Sequence, residues 1–185
     1  MSDAPTQGQD ASQEPRTPTI IFVEDEVSHL AEIVTAIERY RPNWKYEIVE
    51  NAMAGYVWLT ANRASVIVLD VMLPGIEGVP ELTEGAFLAA VIRNAKVPPD
   101  TWAGELDPVN RIAPVVLLTG RGKAGVKRDL QDLKLKAIEP AASGRAARTF
   151  VQEARKHVVL VEKASRTAAG QNFLDLVLRP LVNDT

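Results

Sequence analysis

Apolar residues in this chain gather in short runs that alternate between two periods. Ile20-Ile21-Phe22-Val23, Tyr46 to Val49, Val66 to Leu69 and Val115 to Leu118 are brief, β-rich stretches. Their length and branching predict strands, and Val66 to Leu69, apolar throughout, predicts one buried on both faces. Between them the spacing changes to 3.6 residues. Val27, Leu30, Ala31, Val34 and Ile37 predict a helix that Pro42 closes. Ala52 to Asn62 predicts a second, with Tyr56 and Leu59 on one side, and Phe87, Leu88, Val91 and Ile92 mark a third near 82–94. Pro74 to Gly78 reads as a loop, and Pro98-Pro99 opens an irregular stretch to about Arg111. Later helices are expected near Lys127 to Ala137, Arg145 to His157 and Thr167 to Val182.

Strands alternating with helices imply a doubly wound α/β fold, a parallel sheet with helices on both faces. Such sheets bind ligands beyond the C-terminal ends of their strands, where strand order reverses. Residues 1–18 contain three prolines and almost no bulky apolar group. They cannot offset their ordering entropy and predict a mobile leader ahead of a body at 19–185.

Composition narrows the chemistry. Cysteine is absent and only His29 and His157 offer imidazole, which excludes disulfides and thiolate catalysis and makes a zinc enzyme improbable. Apolar runs reach about seven residues, against the roughly 20 needed to cross a bilayer, so neither a membrane-spanning nor a secreted protein is expected. A net charge of −3 says little about partners.

Three predicted strands finish in chemically pointed residues: Glu24-Asp25, Asp70 and Thr119. Carboxylates brought together repel unless one is protonated or a cation sits among them. These are hard oxygen ligands, and Mg²⁺ suits one or two carboxylates plus waters and a substrate phosphate. An aspartate beside Mg²⁺ can attack phosphorus and form an acyl phosphate. Polar strand ends that merely face solvent are the plainer account, but three in order make it the weaker one.

The ordered set FVEDE, VLDVMLPG and VVLLTG resembles the response-regulator receiver domain of two-component signalling. The resemblance implies a CheY-like, flavodoxin-like fold of five parallel strands in the order 2-1-3-4-5. It implies that Asp70 is the phosphoacceptor and Glu24-Asp25 the acidic pair. Mg²⁺ would be held by Asp25, Asp70, the Met72 backbone carbonyl and, through water, Glu24. Thr119 matches the family's hydroxyl residue, and Gly120 its small neighbour. The implied protein is not an enzyme but a cytoplasmic phosphoacceptor. It would be served by a sensor histidine kinase or phosphotransfer protein and would act on a downstream protein target.

The pattern departs from the family in places. Its fifth-strand lysine has two candidate positions. If Ala137-Ile138-Glu139-Pro140 ends the strand, Glu139 replaces the lysine. If Val158 to Val161 is the strand, Lys163 is the site residue. The second is the more β-like and is favoured, although Ala164 rather than proline follows. Leu160 falls near the family's aromatic switch position. Insertions are expected near 79–85, 96–111 and 120–157. Between Gly120 and Lys163 there are 11 Lys plus Arg against 5 Asp plus Glu. A solvated helical face is the expected use of this basic stretch, and nucleic acid is not an expected partner. Phe173, Leu174, Leu176, Val177, Leu178 and Leu181 make the last helix apolar on several sides. It should pack on the domain, with a homodimer interface as the alternative. His29 reads as a surface residue.

Two other readings stay open. A degenerate receiver would bind partners without phosphorylation. A haloacid-dehalogenase-like phosphatase would also use an aspartate nucleophile, but it needs a second aspartate where Met72 stands.

Overall fold

The computed structural model describes residues 17–73, 84–141 and 145–182. Residues 1–16 of the expected 1–18 leader and the loop beginning at Pro74, with most of the 79–85 insertion, lie outside the described residues. Six parallel strands form one sheet: β1 (Thr19–Val23), β2 (Lys45–Val49), β3 (Val66–Asp70), β4 (Val115–Thr119), β5 (Ala137–Ile138) and β6 (Val158–Glu162). Their order is β2-β1-β3-β4-β6-β5. The expectation of five strands is therefore corrected. The two segments weighed for a single fifth position are both strands. β6 takes the place beside β4, and β5 adds a two-residue edge outside it.

Burial explains which strands take the middle. β1, β3, β4 and β6 are apolar along nearly their whole length and almost wholly buried, as strands covered by helices on both faces must be. β2 pairs on one side only and leaves Lys45 and Glu47 exposed, as an edge strand can.

The helices are α1 (Ala31–Tyr40), α2 (Ala52–Ala61), α3 (Glu84–Ile92), α4 (Pro108–Ile112), α5 (Lys123–Asp132), α6 (Arg145–Ala154), α7 (Gly170–Phe173) and α8 (Arg179–Val182). A 3-10 turn at Val27–Leu30 leads into α1, and a π turn at Leu174–Leu178 joins α7 to α8. The sheet separates two cores. One packs α2, α3 and α5 residues such as Leu59, Leu88 and Leu130. The other packs α1, α6 and the C-terminal helices through Ile37, Phe150, Phe173 and Leu178. The closing segment thus buries Phe173, Leu174, Val177, Leu178 and Leu181 in the chain's own core. Its close approach to α1 needs Gly170, where a Cβ would stand 3.0 Å from the Glu32 carbonyl oxygen.

Two elements differ from the sequence expectation. α5 starts at Lys123 rather than near Lys127, with Val126 and Leu130 facing the core. The stretch up to Arg111 is not irregular throughout, because Asp107 caps α4 by accepting from the Val109 N–H at 2.9 Å, with Pro108 at its first turn. This inserted stretch covers α2 and α3. Trp102 is buried with its ring 5.0 Å from Tyr56 and 6.0 Å from Phe87, and the Tyr56 hydroxyl donates to the Gly104 carbonyl at 2.9 Å.

Arg93, just past α3, ties the inserted segments together. Its guanidinium donates to the carbonyls of Arg111 (2.7 Å), Ala113 (2.8 Å) and Ala154 (3.3 Å). Burial pushes its pKa down to about 10, which leaves it charged at neutral pH. Arg93→Met is expected to lower stability by about 2–3 kcal/mol, since charge-assisted bonds to buried carbonyls are lost together. Urea unfolding measures this, and an unchanged midpoint would deny Arg93 the role.

No helix among the described residues is long and apolar enough to cross a membrane.

Candidate functional site

The C-terminal tips of β1 and β3 lie side by side, because Val23 pairs with Leu69. This register brings Glu24, Asp25 and Asp70 together, with one carboxylate oxygen from each lying within 4.8 Å of the others. Glu24 and Asp70 are buried, and Asp25 faces solvent. The backbone holds Asp70 closely from two sides. The Met72 N–H donates to Asp70 Oδ1 at 3.2 Å, which sets the Met72 peptide beside the cluster while its side chain is exposed. Gly85, at the start of α3, packs directly on the Asp70 carbonyl, and any Cβ there would collide with it. Only glycine allows that approach.

Lys163 lies one residue beyond β6. The β4–β6 register pairs Thr119 with Glu162, and the Lys163 N–H donates to the Thr119 carbonyl at 2.8 Å. Its ammonium then reaches Glu24 Oε2 at 2.8 Å and Asp70 Oδ2 at 2.9 Å. Burial pulls the Lys163 pKa down, but the hydrogen bonds and negative charges of Glu24 and Asp70 outweigh it, so the net direction is up. Glu24 Oε2 has this close ion pair yet no aligned hydrogen bond.

Thr119 is fully buried, and its hydroxyl is occupied locally. It accepts from the Arg121 N–H at 2.9 Å and donates to the Arg121 carbonyl at 3.1 Å. Gly120 borders open space, since a Cβ there would meet nothing within 4 Å. Leu160 is buried within the core.

Glu139 stands elsewhere, just past the edge strand β5. It bridges Lys123 and Lys127 at 3.0 Å each, and hydrogen bonds from the two lysines hold its carboxyl below the usual carboxylate range. Arg121 pairs with Asp129 at 3.3 Å. Part of the basic stretch is thus neutralised within the chain.

One residue read as plain surface belongs to this site. The 3-10 turn swings the His29 ring back over the carboxylates. Its Nδ1 lies 3.0 Å from both Glu24 Oε1 and Lys163 Nζ, and its Nε2 lies 3.2 Å from Glu26 Oε2. The helical pattern placed His29 on α1 and gave no sign of this.

The donor set suits a small divalent cation. Three carboxylates converge, one buried oxygen lacks an aligned donor, and an ammonium already supplies positive charge among them. The residues therefore fit Mg²⁺ or a similar ion.

Comparison with solved structures places the architecture. The chemotaxis response regulator CheY4 of Vibrio cholerae superimposes with a TM-score of 0.55 at 12% identity, over 89% of this chain and 99% of that one. The fold is that of a receiver domain. The Mn²⁺-bound response regulator Rcp1 (TM-score 0.56, 15% identity) covers 87% of this chain and 94% of its own length. The receiver domain of the sensor histidine kinase PA1611 from Pseudomonas aeruginosa PAO1 has a magnesium ion coordinated in its active-site cleft. It gives a TM-score of 0.53 at 15% identity, over 86% of this chain and 95% of that one. No family model and no curated protein matches the sequence. Against the expected receiver order, the extra strand lies outside the fifth position and leaves the five inner positions intact.

Proposed function

We propose that the chain is a phosphoacceptor response regulator, phosphorylated on Asp70 in a Mg²⁺-dependent reaction. The observation that carries this reading is the convergence of Glu24, Asp25, Asp70 and Lys163 at the tips of β1, β3 and β6. Asp25, Asp70 and the Met72 carbonyl would hold Mg²⁺, with Glu24 acting through water. Bound there, the ion neutralises charge on phosphoryl oxygens.

The remaining chemistry falls to side chains. A carboxylate oxygen of Asp70 attacks the phosphorus of a phosphodonor. An O–P bond forms, the bond from phosphorus to the donor breaks, and the donor leaves with its electron pair. Asp70 gains a group of about −1.5 to −2 charge. Lys163, already 2.9 Å from Asp70 Oδ2, pairs with the new oxygens. For Thr119 to donate to them, its hydroxyl must let go of the Arg121 carbonyl. That release loosens the turn just before α5. A change in protein-binding surface follows from it, read by a downstream partner. The donor in this reading is a sensor histidine kinase or phosphotransfer protein, and the setting is the cytoplasm.

The engaged Thr119 hydroxyl also favours a second reading, a receiver that binds partners without being phosphorylated. One experiment separates the two. The protein is incubated with Mg²⁺ and a small acyl-phosphate donor, and its intact mass is measured. One phosphoryl increment, absent in Asp70→Ala and absent in chelator, is expected. No increment in the wild type would sink the phosphoacceptor reading, and continuing release of free phosphate would point to a phosphatase instead.

A further inference from the structure

We propose that β2, an exposed edge of the sheet, pairs antiparallel with β2 of a second copy of this chain, centred on Tyr46. The join needs neither Mg²⁺ nor a phosphoryl group, so it stands apart from the phosphoacceptor reading.

β2 is five residues long and pairs only with β1. The Lys45 N–H donates to the Pro18 carbonyl at 2.8 Å, and the Val49 carbonyl accepts from the Glu24 N–H at 3.0 Å. Residues of a parallel strand alternate in the neighbour they face. Lys45, Glu47 and Val49 therefore serve β1, while the N–H and C=O groups of Tyr46 and Ile48 point out of the sheet. Among the described residues nothing bonds to them. Such an edge is a template for a further strand unless a proline, a bulge or an inward-pointing charge blunts it. β2 has no proline, and its register with β1 is unbroken.

The side chains select both the partner and the register. Lys45 and Glu47 share one face and are exposed. Trp44, Tyr46 and Ile48 share the other, half-buried against the core of α1 and the C-terminal helices. The Tyr46 hydroxyl donates to Glu38 Oε1 on α1 at 2.7 Å, which keeps its ring along that face. Two copies related by a twofold axis meet antiparallel. Centred on Tyr46, the outward groups of Tyr46 bond to their symmetry mates, and the Ile48 N–H meets the Trp44 carbonyl of the second copy. Lys45 then lies opposite Glu47 of the second copy on one face, and Trp44 lies opposite Ile48 on the other. Opposite charges directly across a ladder stabilise it, and like charges oppose it. Centred on Glu47, that carboxylate would face itself. Centred on Ile48, Glu47 would face Val49 and Lys45 would face Asn51. The charge pattern thus fits a second copy of the same strand in the Tyr46 register.

A twofold join uses up the edge, so it closes at a dimer rather than growing into a fibre. A five-residue edge buries less than the roughly 1,200 Å² of stable interfaces, so a dissociation constant on the order of 10–100 µM is expected. Sedimentation velocity of the full chain at roughly 5–500 µM, in chelator and without phosphodonor, reads the equilibrium. Wild type should shift from monomer to dimer over this range. Lys45→Glu and Glu47→Lys, both at exposed positions, should each weaken association at least about tenfold, since each sets like charges opposite one another. An equimolar mixture of the two variants should regain the dimer, because every charge then meets its opposite, and that recovery also shows both variants to be folded. A wild type that stays monomeric, a dimer that neither substitution weakens, or a mixture no stronger than its components would each overturn the pairing. Phosphorylation of Asp70 is unaffected by any of these outcomes.

Discussion

Lys163→Ala is expected to lower the melting temperature by about 10 °C in chelator, and millimolar Mg²⁺ should restore most of that loss. Glu24 and Asp70 are almost fully buried, and Lys163 is the cation that compensates them. Removing one partner of a buried ion pair costs about 3–5 kcal/mol, because the other charge remains without water or a partner. In a chain of this size each kcal/mol is worth about 2–4 °C. A divalent ion would take over the neutralising role and stabilise by mass action, reaching about 2.7 kcal/mol at a hundredfold excess over its Kd. In the wild type the same ion must displace the lysine and should raise the melting point less. The Lys163 pKa is raised on folding, so its contribution is complete below the unfolded value of 10.5 and fades only as pH climbs through the folded value. The deficit should therefore be constant across neutral pH. Thermal melts of both proteins, with chelator and with Mg²⁺, check this. Equal melting points in chelator would mean that Lys163 does not neutralise the cluster.

Glu84→Gln is expected to stabilise the protein by about 2 kcal/mol at pH 8 and to change little near pH 4.5. Glu84 opens α3 and is buried, with an oxygen that finds no donor among the described residues. Loss of hydration pushes its pKa up from 4.5 to about 7. Between those values the folded state holds a proton that the unfolded state has released, so stability falls as pH rises through the window and then levels off. Glutamine keeps the shape without the charge, which removes the slope. Urea unfolding at pH 5 and pH 8 measures it. Destabilisation by Glu84→Gln at pH 8 would show instead that the ionised carboxylate has a partner.

The sequence was most legible where burial was most complete. β1, β3, β4 and β6 are each five residues long and nearly all apolar, so their pattern needed no tertiary context. β5 was obscured for the opposite reason. At two residues it carries no period, and assuming five strands turned two real strands into rivals. α5 begins at Lys123 after Gly122, which offers no capping side chain, so nothing in the sequence marked its start. α4 did carry a signal, Asp107 followed by Pro108, which the surrounding Pro-rich stretch masked. Asp25, Asp70 and Lys163 were readable as strand-end residues because a parallel sheet gathers its C-terminal tips. His29 was not, since its position depends on the 3-10 geometry of the turn before α1 rather than on spacing.

The crossing order of the last two strands bears on how the molecule is made. β5 leaves the translating ribosome before β6 but has no neighbour in the sheet except β6. Until residues 158–162 emerge, the apolar edge of β4 stays open and the earlier segment has nothing to dock on. The sheet is therefore complete only once the final strand has paired with β4 on one side and β5 on the other. A nascent chain stalled shortly before it would expose an adhesive border, and its acidic pocket would still lack the lysine.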